Sequence, residues 1–262
     1  MNSFTKINQK WWNDVTPIHS KSRLYNLSQF KKGKTSLQKL ELQELGNVKG
    51  KTLLHLLCHF GMDTLSWARE GANVTGVDLS NDSIMLAKKL SQEIKVPANF
   101  VCSDVYRLQK KLNKKFDIIF ASYGVLLWLS DLKKWAKIIS HFLKKNGVFY
   151  IVDVHPFTNI LSHDFKLFYN YFDQGPYMDD SPGTYTDWNA DIQGTTYQWS
   201  YTLSDIVNAL INAGLKIEFV HEFPFTMYEQ FPGMMRRDAK GYYILKNKNI
   251  QVPLLFSLKA IK

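Results

Sequence analysis

LLHLLCHFGMDTLSWAREGANVTGVD, residues 53–78, decides how the rest of the chain is read. Thr52 to Leu57 reads as an apolar strand and the turn after it ends at Gly61. A short helix then carries Leu65, Trp67 and Ala68, and Thr75-Gly76-Val77 makes a brief buried strand closing on Asp78. Asp63 or Thr64 is the expected cap of that helix and Gly71 its left-handed terminator. A strand–turn–helix–strand unit with a carboxylate at the end of its second strand builds a nucleotide site. The helix start offers free N–H groups, and the acid accepts both hydroxyls of a ribose. Asp78 follows His55 at about the 20-residue spacing such units need.

The turn is unusual. A pyrophosphate loop reads GxGxxG because the backbone must approach phosphate with no side chain in the way. Here His55-Leu56-Leu57-Cys58-His59-Phe60-Gly61 holds one glycine, and Leu57 and His59 stand where the earlier ones fall. A dinucleotide is therefore a poor guest, which disfavours a nicotinamide dehydrogenase. A nucleoside without phosphate asks less of the loop.

These residues resemble motif I of the class I S-adenosylmethionine-dependent methyltransferases, where an acid precedes xGxGxG. They are similar to one bacterial branch of that family, whose loop reads HLxCHFGxDTLSxAR…GAxVTGVDxS. FASYGVLLWLSDL (120–132), FYIVDVHPF (149–157) and HEFPFTMYEQFP (221–232) resemble the same branch, so the likeness covers nearly the whole chain. It implies an α/β fold: a Rossmann-like, doubly wound, seven-stranded sheet, mostly parallel with an antiparallel last strand and helices on both faces. It implies S-adenosyl-L-methionine as cofactor and S-adenosyl-L-homocysteine as product, and leaves the methyl acceptor open. In the family an acid at the third strand's end takes the adenine amino group, and the next N–H meets a ring nitrogen. Asp104 occupies that place, although an Asp after a strand also serves as a helix cap. His55 replaces the motif I acid that helps bind the methionine ammonium, so Asp63 or backbone carbonyls are the substitutes.

The expected cofactor contacts are Trp12, Tyr25 and Lys34 from an N-terminal lid, and His55, Cys58, His59, Gly61 and Asp63 from the first turn and helix. Asp78, Leu79, Ser103, Asp104, Val105 and Ser122 complete them. Cys58 reads either as a small residue closing a strand or as a reactive thiol. His155, ending the fifth strand beside the expected methyl site, is either an acceptor-facing base or a side chain fixing the turn before Pro156. Tyr123 is the second catalytic candidate. Tyr123, Trp128, Tyr197, Trp199, His221 and Glu222 are candidates for an acceptor pocket, with core packing as the ordinary alternative. Methyl transfer needs positioning more than acid–base machinery, so no triad is expected and none is evident. There is no CxxC or HExxH, and no metal site is expected of His55 and His59 in an irregular turn.

The chain's 262 residues, 45% of them hydrophobic, suffice for one domain with an embellishment. Residues 1–47 form the helical lid, 48–157 the cofactor half, 158–201 an aromatic, acidic insertion over the substrate site, and 202–262 a helix with the last two strands. Beyond Asp78 the reading is a helix stopped at Pro97, a strand at 99–102 and a strand at 116–121 apolar enough for burial on both faces. A helix over 132–145 ends at Asn146-Gly147, and strands follow at 148–154, 215–223 and 254–260. No run of 18 apolar residues and no signal-peptide pattern occurs, so the expected location is cytoplasmic, off the membrane. Cys58 and Cys102 make no disulfide framework. The net charge of +10 invites nucleic acid, but the lysines are scattered and no nucleic-acid motif appears. The partner expected is a small-molecule acceptor, with RNA or protein methylation, or a non-catalytic cofactor-binding module, as alternatives. The protein is expected to be a monomer or a homodimer.

Overall fold

The structure, a computed structural model, describes residues 2–162 and 164–262. Met1 and His163, which fall in the expected lid and insertion, lie outside the described residues. Strands β1 (Thr52–Leu56), β2 (Asn73–Asp78), β3 (Asn99–Cys102), β4 (Phe116–Ser122), β5 (Leu143–Val154), β8 (Lys216–Phe223) and β11 (Leu255–Ile261) form one seven-stranded sheet. Two short ribbons stand apart from it: β6 (Tyr177–Asp179) pairs with β7 (Thr196–Gln198), and β9 (Met235–Arg237) with β10 (Tyr243–Leu245). The sheet order is β3-β2-β1-β4-β5-β11-β8. β3, β2, β1, β4 and β5 run parallel, while β11 is antiparallel to both β5 and β8. The helices are α1 (Ser3–Lys21), α2 (Leu27–Lys31), α3 (Lys39–Leu45), α4 (Met62–Arg69), α5 (Asn81–Glu93), α6 (Leu132–Phe142) and α7 (Leu203–Asn212).

The apolar run of β4 explains the layering. Ile118 and Phe120 pack with Trp67 and Tyr150 on one face, while Ile119 and Ala121 pack with Trp135, Ile139 and Phe149 on the other. Alternate side chains of one strand thus serve opposite layers, which only a sheet covered on both faces demands. Strand order reverses between β1 and β4, and open α/β sheets place ligands at the carboxyl ends beside such a reversal.

Two local expectations are corrected. The N-cap of α4 is Gly61, with Asp63 and Thr64 inside the first turn, so neither caps it. α6 stops at Phe142, not Lys145, because Leu143 turns extended and pairs with Phe116. That pairing lengthens β5 to twelve residues. The β9–β10 ribbon was not legible beforehand: three residues on each side are too few to show alternation.

Candidate active site

A cavity of about 460 Å³ opens at the carboxyl ends of β1 to β4. Its floor is the turn after β1. Leu57 and His59 adopt φ of +55° and +49°, a left-handed backbone that costs an L-residue roughly 1–2 kcal/mol each. These are the positions where a GxGxxG loop puts glycine. The path of that loop is therefore kept while its side chains are not. Hydrogen bonds hold the path: Cys58 N–H donates to Val77 O (2.9 Å), and Gly61 N–H donates to Cys58 O (2.9 Å). Gly61 cannot be replaced freely, since φ is +78° and a Cβ there would stand 2.5 Å from the Phe100 ring.

Three carboxylates face this cavity. Asp78 accepts from His59 N–H through Oδ2 (2.7 Å) and from Ser80 N–H through Oδ1 (2.8 Å). Each oxygen retains capacity for a further donor. Burial pushes its pKa up to about 6, against the pull of those N–H groups. Asp104, at the end of β3, accepts from Tyr106 N–H through Oδ1 (2.9 Å) and so does cap the short turn after it. Its Oδ2 has no hydrogen-bond partner among the described residues. Asp63, on α4, accepts from Ser36 Oγ (2.6 Å) and Ser122 Oγ (3.0 Å). No cation pairs with Asp63 among the described residues, and burial raises its pKa against the two hydroxyls.

His55 stands under Asp63. Its Nδ1 is hydrogen bonded to Thr64 Oγ1 (2.8 Å) and its Nε2 lies 3.5 Å from Ser122 Oγ. Burial lowers its pKa to about 3, so it is a neutral linker at neutral pH. His59 is likewise held neutral by burial and by its neighbour His19, and its ring nitrogens meet Ser83 Oγ (2.9 Å) and His19 Nδ1 (3.1 Å). Burial raises the Cys58 thiol well above its ordinary value, which makes it a packing residue.

The N-terminal segment closes one side. Trp12 meets His59 and Trp128 edge-on at 5.0 and 5.1 Å, and the Tyr25 hydroxyl pairs with that of Tyr185 from the 158–201 segment. Trp12, Tyr25, Lys34, His55, Cys58, His59, Gly61, Asp63, Asp78, Leu79, Ser103, Asp104, Val105 and Ser122 all line this one cavity. Tyr123 lines it too, although its hydroxyl donates to Glu41 Oε2 (2.9 Å), a buried carboxyl on α3 whose pKa burial raises to about 8.

His155 does not line it. It is buried beside β8, with Nδ1 accepting from Phe157 N–H (3.0 Å) and Nε2 lying 2.8 Å from Glu222 Oε1. That contact is off hydrogen-bond alignment, and burial lowers the imidazole pKa more than Glu222 raises it. The turn-fixing reading of His155 is thus the one its geometry matches. Tyr197, His221 and Glu222 are also outside: Tyr197 packs on Phe4, and His221 contacts Glu44. Trp128 and Trp199 are inside. Residues missed in the sequence include Ser36, Tyr185, Tyr228 and Arg237. All lie in segments without helical or strand periodicity long enough to orient them.

Residues 54–151 match the Methyltransf_11 family, a methyltransferase domain. This stretch resembles a methyltransferase domain. It spans β1 to β5 and supplies the three acids and the strained turn. A Coxiella burnetii (strain RSA 493 / Nine Mile phase I) protein named ubiquinone biosynthesis O-methyltransferase is 29% identical over 147 residues, 55% of this chain and 56% of that protein. A Photorhabdus laumondii protein of the same name is 29% identical over 119 residues, 44% and 45% of the two chains. The chain thus spans about half the length of the curated relatives it matches. Among solved structures, an S-adenosylmethionine-dependent methyltransferase from Mesorhizobium loti aligns with a TM-score of 0.59 and 21% identity, over 85% of this chain and 96% of its own. Magnesium protoporphyrin IX methyltransferase of Synechocystis PCC 6803, with bound S-adenosylmethionine, aligns with a TM-score of 0.56 and 14% identity, over 100% and 98%. These two likenesses show the shared sheet. Among the described residues no helix is long and apolar enough to cross a membrane, and no group of three His, Cys, Asp or Glu is placed to hold a metal.

Proposed function

We propose that this protein transfers a methyl group from S-adenosylmethionine to a small-molecule acceptor, releasing S-adenosylhomocysteine. The observation that carries this reading is the set Asp63, Asp78 and Asp104 on one wall of one cavity. The donor offers ribose hydroxyls, an adenine amino group, an ammonium and a sulfonium. It brings hydrogen-bond donors and positive charge to a wall of acceptors and negative charge. A phosphate ligand would meet repulsion from the same wall. The volume also lies within the roughly 300–1,000 Å³ of small-ligand sites.

In this reading Asp78 holds the ribose and Asp104, with the Val105 N–H, the adenine. Asp63 holds the ammonium, replacing the acid displaced by His55. The bound cofactor supplies a methyl carbon activated for in-line displacement. The protein's part is orientation, for which a well-aligned pair of reactants gains roughly 7–11 kcal/mol, and the exclusion of water by Trp12, Tyr25 and Tyr185. Tyr123 contributes a wall, its hydroxyl being held by Glu41.

Titration calorimetry with S-adenosylhomocysteine tests the proposal. The wild-type protein binds it, and Asp78→Asn weakens binding at least about tenfold, or 1.4 kcal/mol, while its thermal unfolding shows an intact fold. A wild-type protein that does not bind overturns the reading.

A further inference from the structure

The cavity continues past the acidic wall, and its far rim has a different chemistry. That rim is built by Met227 and Tyr228 after β8, Arg237 on β9, and Tyr185 from the 158–201 segment, facing Tyr123. The Tyr185 and Tyr228 rings lie 6.4 Å apart. Five charged side chains line the whole cavity. Asp63, Asp78 and Asp104 belong to the cofactor wall, and Lys34 leads into Ser36, which holds Asp63. Arg237 is the cation of the far rim.

Arg237 is also poised. Its guanidinium carbon sits 4.9 Å from the centre of the Tyr243 ring, a stacking that limits its freedom. No carboxylate forms an ion pair with it among the described residues. Its neighbour Asp238 uses Oδ1 to accept from the N–H groups of Lys240 and Tyr242 (both 2.9 Å). A guanidinium fixed on an aromatic face presents its donors in the fork that matches a carboxylate or a phosphate.

We infer that the methyl acceptor is an anion with a flat, apolar body, its carboxylate or phosphate held by Arg237 and its body lying against the tyrosines of the far rim. The inference rests on the methyl-donor reading above and names the class of molecule taken at the same site. Charge balance supports it. An anion entering beside three carboxylates needs one cation of the protein's own, and Arg237 is placed to be it. A cationic acceptor would meet both Arg237 and the donor's sulfonium. The aromatic rim adds stacking surface that a small polar anion would not use.

The test is calorimetry at low salt on the S-adenosylhomocysteine-loaded protein, titrated with 2-naphthoate, 2-naphthyl phosphate and the neutral 2-naphthamide. At least one anion binds about tenfold tighter than the amide, a 1.4 kcal/mol preference. R237Q removes that preference, R237K keeps part of it, and raised salt weakens it. The better of the two anions identifies the acceptor's charged group as carboxylate or phosphate. Arg237 is exposed on a short ribbon, so R237Q keeps the wild-type unfolding temperature and its S-adenosylhomocysteine affinity. An amide that binds as well as both anions, an R237Q protein that binds the anion as the wild type does, or no binding of any of the three overturns the inference. S-adenosylhomocysteine is titrated first. Should it not bind, the donor reading fails by itself, and the naphthyl series on the unloaded protein still decides the role of Arg237.

Discussion

Asp78 sits in conflict between its fold and its ligand. In the folded chain its pKa is about 6, above the roughly 3.9 of an unfolded aspartate. A carboxyl raised on folding contributes most below the unfolded value, and its contribution is lost as pH rises through about 6. In the proposed role the ligand pulls the other way, because an ionised carboxylate is the better acceptor for two ribose hydroxyls. Between pH 5 and pH 7.5, S-adenosylhomocysteine affinity therefore rises, and calorimetry shows the rise flattened in Asp78→Asn. His155 has the opposite character, a conspicuous residue outside the cavity. His155→Ala lowers stability by about 1–3 kcal/mol through the orphaned Phe157 N–H and lost packing. It leaves S-adenosylhomocysteine affinity and methyl-transfer rate near wild type; a large fall in rate with unchanged affinity would restore it as a base. The sequence offers His155 and Asp63 alike as site candidates, since both end or follow an apolar strand. Only Asp63 sits on an α-helix whose start faces the cavity.

The β1–α4 unit was legible almost residue by residue, because a strand, a turn and a helix start are set by neighbours in the chain. The details that escaped were those decided from elsewhere. α6 keeps its helical spacing through Leu143, but the sheet takes that residue to pair with Phe116. The cap of α4 passes to Gly61 because the left-handed turn leads directly into the helix. Gly61→Ala accordingly pays twice, in backbone strain and in collision with Phe100, and lowers stability by roughly 2–5 kcal/mol in denaturant unfolding. An unchanged midpoint would mean that the loop relaxes without cost. The β9–β10 ribbon is the reverse case: too short to announce itself, yet it carries Arg237 to the cavity.

Across the whole molecule the cavity is a meeting of remote segments. Asn8 on α1 exchanges hydrogen bonds with Tyr197 O and N–H (both 2.8 Å), tying the N-terminal helix to β7. The Tyr25–Tyr185 hydroxyl pair joins the same two regions above the turn. A ligand beneath that junction stabilises both sides at once. Hydrogen exchange in the presence of S-adenosylhomocysteine thus slows together in residues 3–31 and 177–198, and protection confined to β1–α4 would show that these segments do not act as a cover. The sequence by itself determined the main sheet, its helices and the acids that line the cavity, because apolar periodicity, turn residues and strand-end acids act over a few neighbouring positions. Tertiary structure alone decided that His155 is buried aside, that Ser36 and Ser122 hold Asp63 at the cavity and that Arg237 reaches it. Those outcomes depend on contacts between separate segments of the chain, such as Asp63 with Ser122 and His155 with Glu222, and local pattern carries no record of them.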